Sequence, residues 1–243
     1  MRPIRIFRHI ACEPPGYLAD YLRRRGVPFE VVCIDEGRPV PMALDDVSGL
    51  VLMGGAVSVH DPLGWIAEEI QLVRNAVAAG VPVMGVCLGG QLMAAALGAE
   101  VTLQPAMEIG WHPITRTEGV AARDWLSGLP ATFMAYHWHA WTFAIPEGAE
   151  CILASEWTPN QGFVLGPHLA MQFHLEMTDP MVRGWVARYG SDLAAGVPSI
   201  QDGPAMTADL PERISVLHRA SDVIYGRWLA GVLELEERGE RRA

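Results

Sequence analysis

Cys87 stands between two glycines, in Gly85-Val86-Cys87-Leu88-Gly89, where an apolar run gives way to an Ala- and Leu-rich stretch ending at Gly98. Gly-x-Cys-x-Gly after a buried strand and before a helix has the form of a nucleophile elbow, a tight turn that strains its central residue. Such a turn lifts the sulfur out of the C-terminal edge of a sheet, where open α/β folds bind ligands. It also aims the sulfur at a helix N-terminus, whose partial positive charge suits an anionic nucleophile. By itself the stretch reads equally well as a buried structural cysteine. Cysteine chemistry further requires a base and a group that orients it. The segment "QFHLE" (residues 172–176) offers both. Read as a strand, it puts His174 and Glu176 on one face while Phe173 and Leu175 enter the core. Glu176 would then hold the imidazole in the tautomer that turns its other nitrogen to Cys87. Acyl transfer needs oxyanion donors as well. One is the Leu88 N–H, just after the nucleophile. The other would come from "MGGAVS" (residues 53–58), where an apolar strand runs into Gly54-Gly55.

The elements that must hold these groups follow from periodicity. "IRIFRHI" (4–10), "FEVVCI" (29–34), "GLVLMGG" (49–55) and "VPVMGV" (81–86) read as strands, and "GYLADYLRRRG" (16–26) and "GWIAEEIQLVRNAVAAG" (64–80) as helices. This alternation predicts a mostly parallel sheet with helices on both faces. Beyond residue 98, "EVTLQ", "GWHPITRT", "TFMAYHWH", "CILASE" and "GFVLG" predict shorter, partly antiparallel strands, followed by one through 168–177. Two helices near 180–195 and 210–237 then close the chain. The stretch 194–207 is a connector and 238–243 a frayed tail. We expect one α/β domain over 1–243, with the site-bearing core in 1–178.

The chain has 243 residues, 50% of them hydrophobic, and a formal net charge of -10. Its 18 Lys and Arg form no long run, and Arg23-Arg24-Arg25 fits the last turn of a helix before Gly26. That excludes nucleic acid as an expected partner. Four scattered cysteines, Cys12, Cys33, Cys87 and Cys151, suit neither a zinc site nor a disulfide framework. No secretory leader, membrane-length apolar segment or G-x-x-x-x-G-K loop is present. A cytoplasmic, reduced protein is expected.

The segments "GVCLGGQLMAAALG", "FHLE" and "MGGAVSV", in combination, resemble the nucleophile, His-x-Glu and oxyanion motifs of the class I glutamine amidotransferases. The likeness extends through "EPPGYLADYLRRRG", "EIGWHPI" and "HWHAWTFAIPEGAE", and is strongest to stand-alone members similar to the glutaminase domain of GMP synthase. It implies a flavodoxin-like fold and a Cys87–His174–Glu176 triad that cleaves the side-chain amide of glutamine through a γ-glutamyl thioester on Cys87. It further implies Gly55 and Leu88 as the oxyanion hole, and Gly54 and Gln91 as substrate contacts. No cofactor is implied.

The chain departs from the family pattern at three places. Leu175 and Ala56 stand where proline is usual, and neither supplies a catalytic group. His139-Ala140-Trp141 stands where relatives often have His-Gly-Asp, so an acid expected near the substrate amino group is lost. Trp141, with Trp138 and His139, is therefore expected to line a pocket for a γ-glutamyl compound. His137 and His139 sit on alternate residues without Cys or carboxylate support in the nearby sequence, so no metal is expected. His9, His60, His112, His168 and His218 receive no role. Three functions remain open: a glutamine amidohydrolase acting alone or feeding a separate synthase subunit, a γ-glutamyl peptide hydrolase, and a binding protein that retains the pocket without the chemistry.

Overall fold

The computed structural model describes residues 1–193 and 196–240. The N-terminal half alternates as the periodicity predicts: β1 (Ile4–Arg8), α1 (Gly16–Arg24), β2 (Phe29–Cys33), β3 (Gly49–Leu52), α2 (Gly64–Ala79), β4 (Val83–Val86) and α3 (Leu88–Ala96). The arginines close α1 as expected, and Arg24 and Arg25 lie over the rings of Tyr17 and Tyr21. Helix α2 buries Ile66, Leu72, Val73 and Ala76, and stops at Gly80, whose φ of 71° completes the C-cap. Glu69 is buried in that same stripe.

Nine strands form one sheet among the described residues, in the order β2-β1-β3-β4-β9-β8-β7-β5-β6. Its remaining strands are β5 (Val101–Arg116), β6 (Thr132–Phe143), β7 (Glu150–Ala154), β8 (Gly162–Leu165) and β9 (His168–Met171). Strands β2, β1, β3, β4 and β9 are parallel, and the rest pair antiparallel. Alternate strand residues feed two cores. Ile4, Ile6, Val51 and Met84 share one with Leu18, Leu22 and Trp228. Phe7, Leu50, Leu52 and Val83 share the other with Ile66, Leu72 and Leu92. Each fully buried aliphatic side chain contributes about 1.5–3 kcal/mol.

Four expectations need correction. "EVTLQ" and "GWHPITRT" belong to one 16-residue strand, β5, whose register on β6 shifts between Leu103 and Glu108. Pro105, which has no N–H to donate, lies in that irregularity. The strand expected through 168–177 stops at Met171. Residues 172–176 continue beyond the sheet, with one bridge between His174 and Tyr136. Two short helices escaped periodicity: α4 (Val120–Trp125), and α6 (Gly203–Thr207), which is capped by the Asp202 side chain. The C-terminal helices are α5 (Asp179–Arg188) and α7 (Leu210–Glu240). Helix α7 thus includes residues 238–240 of the expected frayed tail, because "LELEER" is rich in strong helix formers. Residues 194–195 of the connector and 241–243 of the tail lie outside the described residues. Among the described residues no helix is long and apolar enough to cross a membrane, and the four cysteines are free.

Candidate active site

Strand β4 runs between β3 and β9 and ends at Val86, so the next residue leaves the sheet at its C-terminal edge. Cys87 has φ 51° and ψ -108°, a strained conformation for a residue with a side chain. Its N–H donates to Met171 O at 2.8 Å, and its carbonyl accepts from the Gln91 N–H at 3.0 Å, the first bond of α3. The flanking glycines are steric requirements. A Cβ on Gly85 would lie 2.4 Å from Gly89 O, and one on Gly89 would lie 2.0 Å from Leu52 O. The Leu88 N–H precedes the first intrahelical bond and is one of the free donors of the helix N-terminus.

His174 and Glu176 are fixed by the backbone around them. The His174 N–H donates to Tyr136 O at 2.8 Å, and the Tyr17 N–H, at the start of α1, donates to Glu176 O at 2.9 Å. The imidazole Nδ1 lies 2.7 Å from Glu176 Oε1, so Nδ1 carries the proton and Nε2 is left for the cysteine. Burial acts to lower the His174 pKa, but the Glu176 carboxylate and the neighbouring Cys87 override it and hold the pKa well above the ordinary value. Trp185 presents its ring at 90° to the imidazole, 4.8 Å between centroids. Phe173 and Leu175 are buried as expected.

The glycine loop closes the other side. A Cβ on Gly54 would lie 3.1 Å from His174 Cε1 and 3.7 Å from Cys87 Cβ, so thiol and imidazole face each other across this residue. A Cβ on Gly55 would lie 2.8 Å from Leu88 Cδ2, so the glycine loop packs against the first residue of α3. His9, given no role from sequence, supports this loop from behind. Its Nδ1 lies 3.0 Å from Met53 O and 3.1 Å from Gly54 O, and its Nε2 lies 3.0 Å from Glu69 Oε2. Both ring nitrogens meet acceptors. Burial opposes the charge on His9, yet Glu69 raises its pKa on balance.

Cys87, His174, Gly55, Trp138, His139 and Trp141 line one cavity of about 460 Å³. Gln91 does not line it. It is 3% exposed, and its amide donates to Gln172 Oε1 at 3.2 Å, while the Gln172 amide reaches the Cys87 sulfur at 3.6 Å. Trp138 donates from its ring to Asp192 at 3.1 Å, and Trp141 packs near His60, another histidine given no role. Glu13, Asp61, Trp185, Tyr189 and Asp192 also line the cavity, and sequence reasoning missed them all. One signal was available: Glu13 follows the first strand at the edge where such folds bind ligands.

The reason for discounting a metal at His137 and His139 needs correction, because Glu108 of β5 brings a carboxylate to them. Its oxygens lie 3.8 Å from His137 Nδ1 and 3.5 Å from His139 Nε2, and the three potential ligand atoms lie within 4.8 Å of one another. The space between them holds the Gln161 side-chain nitrogen, 2.7 Å from Glu108 Oε2 and 3.4 Å from each imidazole. Ser155 and Thr158 hydroxyls donate to the same carboxylate oxygen at 2.9 and 3.0 Å. A neutral amide therefore takes the position a cation would need. Burial works to raise the Glu108 pKa, but hydrogen bonding from His139 and the field of the histidines hold it at about 2. Burial pushes His137 down to about 3.

A cysteine at a strained elbow and a histidine held by a carboxylate stand together at the C-terminal edge of an α/β sheet. The comparisons give the family to which that arrangement belongs. Residues 16–180 match the family Glutamine amidotransferase class-I. The glutamine amidotransferase-like protein YfeJ of Salmonella typhimurium is 30% identical over 76% of this chain and 80% of its own length. The crystal structure of a glutamine amidotransferase from Methylobacillus flagellatus superposes with a TM-score of 0.92 at 39% identity, covering 95% of each chain. A glutamine-hydrolysing GMP synthase of Thermomicrobium roseum is 33% identical over 53% of this chain, but over only 23% of its own length. The chain belongs to the class I glutamine amidotransferase family.

Proposed function

We propose that this chain hydrolyses a γ-glutamyl amide through Cys87, His174 and Glu176. The observation that carries the reading is the 2.7 Å contact between His174 and Glu176, which leaves the other imidazole nitrogen to a cysteine facing the same cavity. His174 holds the proton given up by Cys87, and the sulfur attacks the amide carbonyl as a thiolate. Charge on the carbonyl oxygen is received by the N–H groups of Gly55 and Leu88, each worth about a hundredfold to a thousandfold in rate. As the tetrahedral intermediate collapses, His174 gives its proton to the leaving nitrogen and the C–N bond breaks. Water, activated by the same imidazole, then cleaves the thioester. Glu176 keeps the tautomer fixed throughout. Gln91, acting through Gln172, positions the sulfur.

For glutamine the products are glutamate and ammonia, and a separate synthase subunit is the partner that would consume the ammonia. A second reading, hydrolysis of γ-glutamyl peptides or amides, is favoured by Trp141. It lines the cavity where an acid is often found, so the α-amino end of the substrate is handled differently.

The test is glutamate release by the purified chain from glutamine and a panel of γ-glutamyl dipeptides. Cys87→Ala is expected to lose about four orders of magnitude or more. Release independent of Cys87 would overturn the mechanism. Trp141→Asp is expected to move the preference toward glutamine, and an unchanged preference would remove the tryptophan from substrate selection. No release from any substrate would turn the reading to a pocket that only binds or a site switched on by a partner, which co-purification with a synthase would separate.

A further inference from the structure

Glu13 has no part in the mechanism above, yet its carboxylate faces the reacting groups. It lies between β1 and α1, is 6% exposed and lines the cavity. Its Oε1 accepts from the Tyr189 hydroxyl at 3.3 Å. Among the described residues Oε2 accepts no hydrogen bond, and it would lie 2.4 Å from a Cβ on Gly54, the same point that is 3.1 Å from His174 Cε1. A carboxylate oxygen that borders a cavity and has no donor from the protein is available to a donor on a ligand.

The side of the substrate that Glu13 meets follows from the proton transfer. The leaving nitrogen must sit beside His174, which protonates it, so groups packed around His174 border the amine half of the amide. Those groups are Glu13, Trp185 and Tyr189, with Asp192 beyond them on Trp138. The acyl half is left to the flank carrying Trp141. Glu13, Asp61 and Asp192 line the cavity, and among the described residues no lysine or arginine does. These three carboxylates disfavour an anionic leaving group.

Resting on the acyl-transfer reading, we propose that Glu13 is the specificity-determining carboxylate of an amine-side subsite. The amide cleaved fastest then carries a positive charge on its leaving amine, as in the γ-glutamyl monoamide of a diamine. Cys87 sulfur bonds to the carbonyl carbon, the C–N bond breaks, and the His174 proton leaves on the diamine. Water then releases glutamate. Burial raises the Glu13 pKa and Glu176 adds to this, while His174, Tyr189 and His9 oppose it, with a net rise. The preference for a cation therefore strengthens as pH rises through that elevated pKa.

The experiment compares kcat/KM for the γ-glutamyl monoamide of ethylenediamine with that for γ-glutamyl propylamide, which has a methyl in place of the ammonium. γ-Glutamylglycine serves as the anionic member and Cys87→Ala as the control. The charged amide is expected to exceed the propylamide by about tenfold or more. Glu13→Gln should bring the ratio near one, and Glu13→Asp should retain part of it. Equal rates on the two amides in the native chain overturn the proposal, as does preference for γ-glutamylglycine. A Glu13→Gln variant that slows both amides equally also overturns it, since a structural role would do that. If that variant does not fold, the native ratio decides. Loss of Cys87-dependent release from every substrate overturns the acyl-transfer reading itself, and this inference with it.

Discussion

Two of the buried carboxylate–histidine groups among the described residues look alike in sequence and differ in what they can do. In one, His174 and Glu176 are two residues apart; in the other, His137 and His139 have the same spacing and Glu108 supplies the acid. In the first, a single 2.7 Å contact uses one imidazole nitrogen and leaves the other facing the cavity. In the second, one carboxylate oxygen, Oε2, takes hydrogen bonds from Ser155, Thr158 and the Gln161 amide, and the histidines stand off at 3.5 and 3.8 Å. Their protonation differs accordingly. Burial acts against the charge on His174, and Glu176 overcomes it; burial keeps His137 neutral beside an ionised Glu108. The lesson is that an acid near a histidine becomes chemistry only when the pair is short and the other imidazole nitrogen is left to a reacting group. Otherwise it ties strands together, here β5 to β6.

The sharpest way to break this contrast is to neutralise each acid without changing its shape. Glu176→Gln is expected to lower kcat about a thousandfold with little change in KM, because an amide can donate to Nδ1 and so favour the wrong tautomer. Steady-state kinetics on the preferred amide check this. A loss under tenfold would mean that Glu176, too, is a tie rather than an orienting group.

What could be read from sequence was what is local. The elbow was legible because Gly85, Cys87 and Gly89 carry their turn within five residues, and two backbones crowd both glycines. The pairing of His174 with Glu176 was expected from their spacing together with the resemblance, and the contact forms although the strand expected to carry it ends at Met171. The end of β9 was not, since the bond that takes His174 out of the β4–β9–β8 ladder comes from Tyr136 of β6. Glu108 was missed for the same reason: it reaches His137 and His139 across the β5–β6 register, not along the chain. Glu13, Trp185 and Tyr189 meet the cavity from the loop before α1 and from the end of α5, which periodicity cannot bring together. Glu69 did carry a signal, an acid within the apolar stripe of α2, and a buried charge demands a partner.

That partner, His9, provides a third case between the two extremes: a charged pair that touches no substrate but holds the loop that does. The double variant His9→Phe, Glu69→Gln leaves no buried unpaired charge, and frees the Met53 and Gly54 carbonyls from the ring that anchors them. The expected result is a fall in kcat of about tenfold with KM nearly unchanged, since a loosened oxyanion donor is felt in the transition state. Equal effects on kcat and on the melting temperature of an unliganded sample would not distinguish positioning from folding, but the kcat-against-KM split does. A rise in KM at constant kcat would remove His9 from oxyanion positioning.

The smallest effect on activity belongs to Glu108→Gln, expected to change kcat/KM of the folded protein by no more than about twofold, while costing about 1–3 kcal/mol in stability. The pH dependence gives this its sign. The Glu108 pKa is held at about 2 against an ordinary 4.5, so the stability it contributes is fully present above 4.5 and is lost as pH falls toward 2. Denaturant melts at several pH values should therefore show the native chain and the variant far apart at neutral pH and converging in acid. A gap that persists unchanged below the native pKa would mean that shape, and not charge, is what the cluster supplies. A large loss of kcat without loss of stability would be the more damaging result: it would place the Glu108 cluster in the chemistry, and erase the distinction between the two groups from which its role was inferred.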